Sequence, residues 1–187
     1  MEAQKGGSMI YIALLRGINV SGHKLIKMAE LKVMFEKNGF ENVTTYIQSG
    51  NVVFDSTSKK IDDLQQQIKS AILKAFGFDV DIQVIKAQDL KRIKENHSFL
   101  HENELKATYY TLLAEKPNKD LVDELNQLEQ VVEFFKITDD VIYCFYPNGV
   151  RNAKWHNVFF EKKLKVSCTT RNFNTMQKLV DLSEKVE

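Results

Sequence analysis

Apolar residues along this chain recur in two successive passes of one pattern. Ile10 to Leu15 is a short apolar run that ends at Arg16-Gly17, and it reads as a buried strand. Met28, Leu31, Met34 and Phe35 then recur at helical spacing, and Gly39 follows as a stop. Val43 to Ile47 and Asn51 to Phe54 are rich in β-formers and meet through Ser49-Gly50, which predicts a hairpin. Ile61, Leu64, Ile68, Ile72 and Phe76 form a second helical stripe, closed by Gly77. Val80, Ile82 and Val84 alternate with Asp81, Gln83 and Ile85 as a strand. The first pass is β-α-β-β-α-β.

The second pass repeats it after a charged, partly helical connector over residues 87–104. Ala107 to Ala114 reads as a strand, and Leu121, Leu125 and Leu128 mark a helix. Val131 to Ile137 and Val141 to Tyr146 form a hairpin across Thr138-Asp139-Asp140. Val158 to Leu164 reads as a short helix and Val166 to Thr170 as a strand. A last helix runs from about Asn174 to Glu184, with Met176, Leu179, Val180 and Leu182 facing inward.

Two such passes predict an α+β protein of two ferredoxin-like units, over residues 9–86 and 105–187, each an antiparallel sheet with helices on one face. The C-terminal helix belongs to the second unit in this reading. With two prolines and no Ser/Gly-rich linker, the units are expected to pack together. Residues 1–8 (MEAQKGGS) read as a leader before a natural start at Met9.

Composition narrows the function classes. The chain has 187 residues, 43% hydrophobic and 27% charged, with a formal net charge of +1, so no global field steers it to nucleic acid or membrane. Arg151, Lys154, Lys162, Lys163, Lys165 and Arg171 nevertheless make 151–171 locally basic, against the single acid Glu161. Cys144 and Cys168 lack CxxC spacing and read as buried, reduced thiols. No run approaches the roughly 20 apolar residues of a membrane span, and a cytoplasmic protein without a membrane partner is expected.

Two motifs end apolar runs with arginine and asparagine: Leu14-Leu15-Arg16-Gly17-Ile18-Asn19-Val20 and Thr169-Thr170-Arg171-Asn172-Phe173-Asn174-Thr175. Such residues suit an exposed polar site better than a core, and the two stretches read as halves of one site. In the first loop, Gly17 and Gly22 permit tight turns, and Arg16, Lys24 and Lys27 suit phosphate or carboxylate oxygens. No Walker A pattern is present, and a polar loop satisfying its own carbonyls accounts for the same residues. At the second motif a strand gives way to a helix whose free N–H groups suit an anion, with Arg171 adding a fork of donors. Capping by Asn172 or Asn174 explains it without a ligand.

Gln48 and Asn51, at the hairpin turn, either read a ligand through neutral hydrogen bonds or supply unusual turn dihedrals, the second being the better reading. Lys154 and Asn157 complete a basic rim or lie on a solvated face. His97 and His101, four apart beside Glu102 and Glu104, have the spacing of a metal pair, but nothing like HExxH occurs and no metal site is expected. Tyr109, Tyr143 and Phe145 occupy the strands on which RNA-recognition domains stack bases, yet the basic-glycine opening of that motif is missing, and core packing is preferred.

The segments LLRGINVSGHKLIKMAELK, TYIQSGNVVF and TTRNFNTMQKL together resemble domain-of-unknown-function family 1697, a group of small uncharacterised bacterial proteins. The resemblance runs from Met9 onward. Phe173 stands where the family often has tryptophan, and Ser21-Gly22-His23 departs from its commoner Gly-Gly loop. The resemblance implies an α+β fold built on ferredoxin-like units and carries no established activity, cofactor or catalytic residue.

The sequence reading therefore expects an anionic, phosphate-bearing small molecule, a nucleotide among them, held by Arg16, Asn19, Lys27, Gln48, Asn51, Lys154, Thr170, Arg171, Asn172 and Asn174. Were the protein an enzyme, these donors would suit electrostatic stabilisation of a transferring phosphoryl or acyl group, although no nucleophile or general base stands out. Single-stranded nucleic-acid binding through 151–171, or a protein-interaction module without catalysis, are the other readings. Catalysis, cofactor and oligomeric state are left open by the sequence.

Overall fold

The computed structural model describes residues 7–58, 60–97 and 102–185. The expected leader therefore lies largely outside the described residues, as does His101. The chain divides into two compact units, Met1–Leu90 with Leu179–Glu187, and Lys91–Lys178.

The first unit runs β1 (Met9–Arg16), α1 (Met28–Lys37), β2 (Glu41–Tyr46), β3 (Asn51–Ser56), α2 (Ile61–Phe76) and β4 (Asp81–Lys86). Its strands lie in the order β2-β3-β1-β4, every pair antiparallel. Ala13, Leu15, Val52 and Phe54 point from the sheet into a core shared with Leu31 and Phe35 of α1 and Leu64, Ile68 and Ile72 of α2. Phe54 meets Phe35 and Phe40 edge-on, at ring separations of 5.4 and 4.8 Å. Gly77 ends α2 at φ 80°, donating its N–H to Leu73 O at 2.9 Å, a left-handed cap that costs glycine little.

The next helix, α3 (Ala87–Glu95), is followed by β5 (Thr108–Leu113), α4 (Lys119–Asn126), β6 (Phe134–Ile137), β7 (Val141–Phe145), α5 (Asn157–Leu164), β8 (Cys168–Asn172) and α6 (Phe173–Glu184). The second sheet has the order β6-β7-β5-β8, the same arrangement as the first. Phe135, Ile142, Cys144, Trp155, Phe160 and Leu164 centre its core. The protein is thus an α+β fold of two ferredoxin-like units. Apolar residues on the other face of each sheet are buried too: Ile12, Leu14 and Val53 in the first, Tyr110, Leu112, Val141 and Tyr143 in the second, all at 4% exposure or less. That explains why β1 reads as a continuous apolar run rather than an alternating one.

The division between the units falls at Leu90/Lys91, inside α3, and at Lys178/Leu179, inside α6, so the end of α6 groups with the first unit. Two details differ from the sequence reading. β6 begins at Phe134, because Val131 and Val132 are 68% and 56% exposed and Gln130 Oε1 takes the Phe135 N–H at 2.7 Å. Leu182 is half-buried, while Met176, Leu179 and Val180 are buried as expected.

Each edge strand carries a device that occupies or distorts its outer side. On β4, the Val84 N–H donates to Gln65 Oε1 of α2 at 2.9 Å. On β8, the Cys168 N–H donates to Glu161 Oε1 of α5 at 3.0 Å. Gln65 and Glu161 are the fifth residues of corresponding helices. Gln130 does the same for β6. β2 instead breaks register between Glu41 and Thr44, with Asn42 at φ 49° donating its side-chain amide to Asp55 Oδ2.

Candidate functional site

The loop after β1 is the least regular stretch of the first unit. From Gly17 to Lys24, five of eight residues have positive φ: Gly17, Asn19, Ser21, Gly22 and Lys24. Ile18, Val20 and His23 lie between them without positive φ, so the sign alternates from Gly17 to Ser21 and again from Gly22 to Lys24. Peptide N–H groups in such alternating stretches converge into anion-binding concavities. Gly17, Val20, Ser21 and Gly22 are exposed, and among the described residues their N–H groups have no intrachain acceptor.

Asn19 holds this loop in place. Its Nδ2 donates to Ile26 O and to Gln48 O, both at 2.9 Å, and its Oδ1 accepts the Ile26 N–H at 2.8 Å. One amide therefore closes the loop on itself and ties it to the β2–β3 turn. Lys24 Nζ donates to Asp79 O at 2.6 Å, a second tie. Beneath them Ile18 is buried against the core. Gly50, at φ 82°, donates no side chain there because a Cβ would lie 2.7 Å from Ile18 Cδ1 and 2.8 Å from Leu15 Cβ. Leu15 N–H donates to Gly50 O at 2.8 Å across the same contact.

The other expected residues of this unit take different places. Arg16 is half-buried at the end of β1, opposite Asp81 of β4. Lys27 is exposed and pairs with Glu30 at 3.6 Å. Gln48 is exposed at the turn, in contact with Asn19. Asn51 is fully buried, and its Nδ2 donates to Tyr46 O at 3.0 Å and Ser49 Oγ at 3.1 Å, the geometry of a turn-fixing side chain. The structure thus joins Asn19 to Gln48 and places Asn51 beneath the turn.

The second motif belongs to the second unit. Arg171 is 8% exposed, contrary to the expectation of an exposed polar site, and its Nη1 donates to Thr169 Oγ1 at 2.9 Å and Thr170 O at 3.0 Å. Burial pulls its pKa down to about 10, which leaves it charged at neutral pH. Acceptors on its own strand meet the guanidinium, a use that a terminal Arg-Asn pair does not announce. Thr170 Oγ1 donates to Asn157 Oδ1 of α5 and lies 2.7 Å from Thr111 Oγ1. Asn172 Oδ1 accepts the Thr175 N–H at 2.9 Å, so it caps α6, and Asn174 is exposed in the first turn. Lys154 is exposed, its Nζ 5.1 Å from the Trp155 ring centre, while its N–H donates to the Glu133 carboxylate.

His97 is a feature that spacing did not reveal. It is 6% exposed, with Nε2 3.3 Å from Tyr109 O, and its ring meets Tyr110 and Tyr143 edge-on. Burial lowers its pKa to about 4, so the imidazole is neutral at pH 7. Among the described residues no three His, Cys, Asp or Glu side chains are grouped to hold a metal. Cys144 and Cys168 are free and buried, and burial pushes the Cys144 thiol up to about 12, far from nucleophilic thiolate behaviour. Tyr143 is buried, and Tyr109 stacks obliquely on Tyr146, so these aromatics serve packing. No helix among the described residues is long and apolar enough to cross a membrane.

Comparison with known proteins gives a family and a fold. A family model described as protein of unknown function (DUF1697) matches residues 9–143, more than half the chain. The structure of a conserved bacterial protein from Streptococcus pneumoniae is similar, with a TM-score of 0.72, 21% identity, and coverage of 95% of this chain and 99% of that one. Among curated proteins nothing matches.

Proposed function

The chain belongs to that family, whose description names no activity, and we propose that it binds an anionic, phosphate-bearing small molecule at the β1–α1 loop of the first unit. The observation that carries this reading is the loop itself. It offers exposed N–H groups from alternating backbone together with Arg16, His23, Lys24 and Lys27, and its sequence from Arg16 to Lys27 contains no acid. Asn19 and Lys24 hold it in one shape before any ligand arrives, which reduces the ordering cost of binding. No residue is assigned a chemical step.

Titration calorimetry with inorganic phosphate, nucleotides and sugar phosphates tests the reading. One of these anions is expected to bind, and Lys27→Ala to weaken it about tenfold, the scale of one charge-assisted contact. Asn19→Ala is expected to weaken it further by releasing the loop. Binding unchanged in both variants would move the site elsewhere.

A second reading has one observation in its favour. Arg151, Lys154, Lys162, Lys163 and Lys165 are all exposed, as single-strand nucleic-acid binding requires. Trp155, however, is 3% exposed and offers no face for a base. Oligonucleotide affinity that falls steeply with salt would restore it.

A further inference from the structure

Among the described residues nine large apolar side chains are notably exposed, and three of them belong to the proposed site: Val20 at 59%, Leu25 at 65% and Ile47 at 47%. Each is one residue removed from a hydrogen bond of Asn19. Val20 follows Asn19, Leu25 precedes Ile26, and Ile47 precedes Gln48. Singly exposed apolar side chains need no explanation, but three on two tethered loops do. Ile47 sharpens the point. It is β-branched at φ 49°, a conformation that Asn or Gly adopts far more readily, and it still presents its side chain to solvent.

The same loop carries Arg16, half-buried opposite Asp81, Lys24, which holds Asp79 O, and Lys27, exposed and 3.6 Å from Glu30, and no acid lies in the sequence between Arg16 and Lys27. Apolar tips set among cations and exposed peptide N–H groups match one surface chemistry, that of a bilayer whose headgroups are anionic phosphodiesters and whose interior is hydrocarbon. Resting on the anion-binding reading of this loop, we infer that it docks on an anionic lipid bilayer. Val20, Leu25 and Ile47 enter the headgroup–acyl boundary, and the lysines and loop N–H groups meet the lipid phosphates. The net charge of +1 gives no long-range attraction, so docking is short-ranged and local to this loop.

Cosedimentation of the full chain with vesicles of phosphatidylcholine mixed with phosphatidylglycerol, and with phosphatidylcholine alone, tests it beside calorimetry with inorganic phosphate and nucleotides. The chain is expected to bind the mixed vesicles and not the neutral ones. Leu25→Asn with Ile47→Asn is expected to lower vesicle binding by about tenfold or more while leaving binding of the soluble anion unchanged, since these side chains meet hydrocarbon and not phosphate. Asn suits position 47, so the variant keeps its fold, which circular dichroism checks. Vesicle binding that survives this double substitution overturns the inference. Binding of soluble anion without vesicle binding also overturns it and leaves the anion reading standing, and failure of both removes the two together.

Discussion

Between β1 and α1 the first unit places eleven residues, 17–27, and between β5 and α4 the second unit places five, 114–118. The topology is the same, but the closure is not. In the second unit the connection is settled locally: Asn118 Oδ1 caps α4 by accepting the Asp120 N–H at 2.8 Å, and Lys116 pairs with Asp139 at 2.7 Å. In the first unit α1 has no side-chain N-cap, and the loop is fixed by Asn19 and Lys24 reaching across to other segments. The hairpins differ in the same sense. Thr138 Oγ1 closes the β6–β7 turn within three residues, whereas the β2–β3 turn, closed by Asn51, is in addition seated on Ile18 through Gly50. The first closure leaves the N–H groups of Gly17, Val20, Ser21 and Gly22 without an intrachain acceptor among the described residues.

The largest test of that contrast is Gly50→Ala. A methyl group 2.7 Å from Ile18 Cδ1, at φ 82°, is expected to cost about 3 kcal/mol in urea unfolding. Gly77→Ala has the same sign of φ and open space, and about 1 kcal/mol is expected there. Equal losses would mean that the turn does not depend on its seat against Ile18.

Acid is expected to act through the second unit. His97 has a folded pKa of about 4, below its ordinary 6.5, so the unfolded chain binds the proton first. Its contribution is therefore complete above pH 6.5 and is lost as pH falls toward 4, on the order of 3 kcal/mol in all. Denaturant midpoints measured across that range should fall less steeply in His97→Gln. An unaltered slope would deny the burial of the ring.

Asn19→Ala removes four hydrogen bonds, one of them long, and is expected to cost about 2 kcal/mol, with faster amide exchange over residues 20–27. Asn118→Ala, which removes one local cap, should cost about 1 kcal/mol and leave exchange elsewhere unchanged. The smallest effect is expected from Lys116→Ala, below about 0.5 kcal/mol, because both partners are well exposed. A loss there matching that of Asn19→Ala would erase the distinction between the two closures.

Periodicity carried the architecture because burial alternates with the geometry of each element. The stripe Leu64, Ile68, Ile72 faces the core as spacing predicts, and Gly77 stops its helix for the reason its type suggests. Asn51 also behaves as a turn residue. Arg171 is different: a guanidinium after a strand reads as a surface group, and its burial depends on acceptors that Thr169 and Thr170 bring to it. Nor does spacing disclose His97, whose surroundings come from β5 and β7, far along the chain. The alternating backbone of residues 17–24 was half visible, through Gly17 and Gly22. Asn19, Ser21 and Lys24 adopt positive φ because the ties at Asn19 and Lys24 hold them there, which local composition does not encode.

Gln65 and Glu161 guard the outer edges of β4 and β8 from the fifth position of α2 and α5. The guard and the core lid are therefore one object. While each helix is docked, a neighbouring chain meets an edge whose N–H is already taken. When the helix lifts, apolar core and a bare strand edge are uncovered in the same event, so fibril-forming association should begin with helix undocking rather than with collisions between intact molecules.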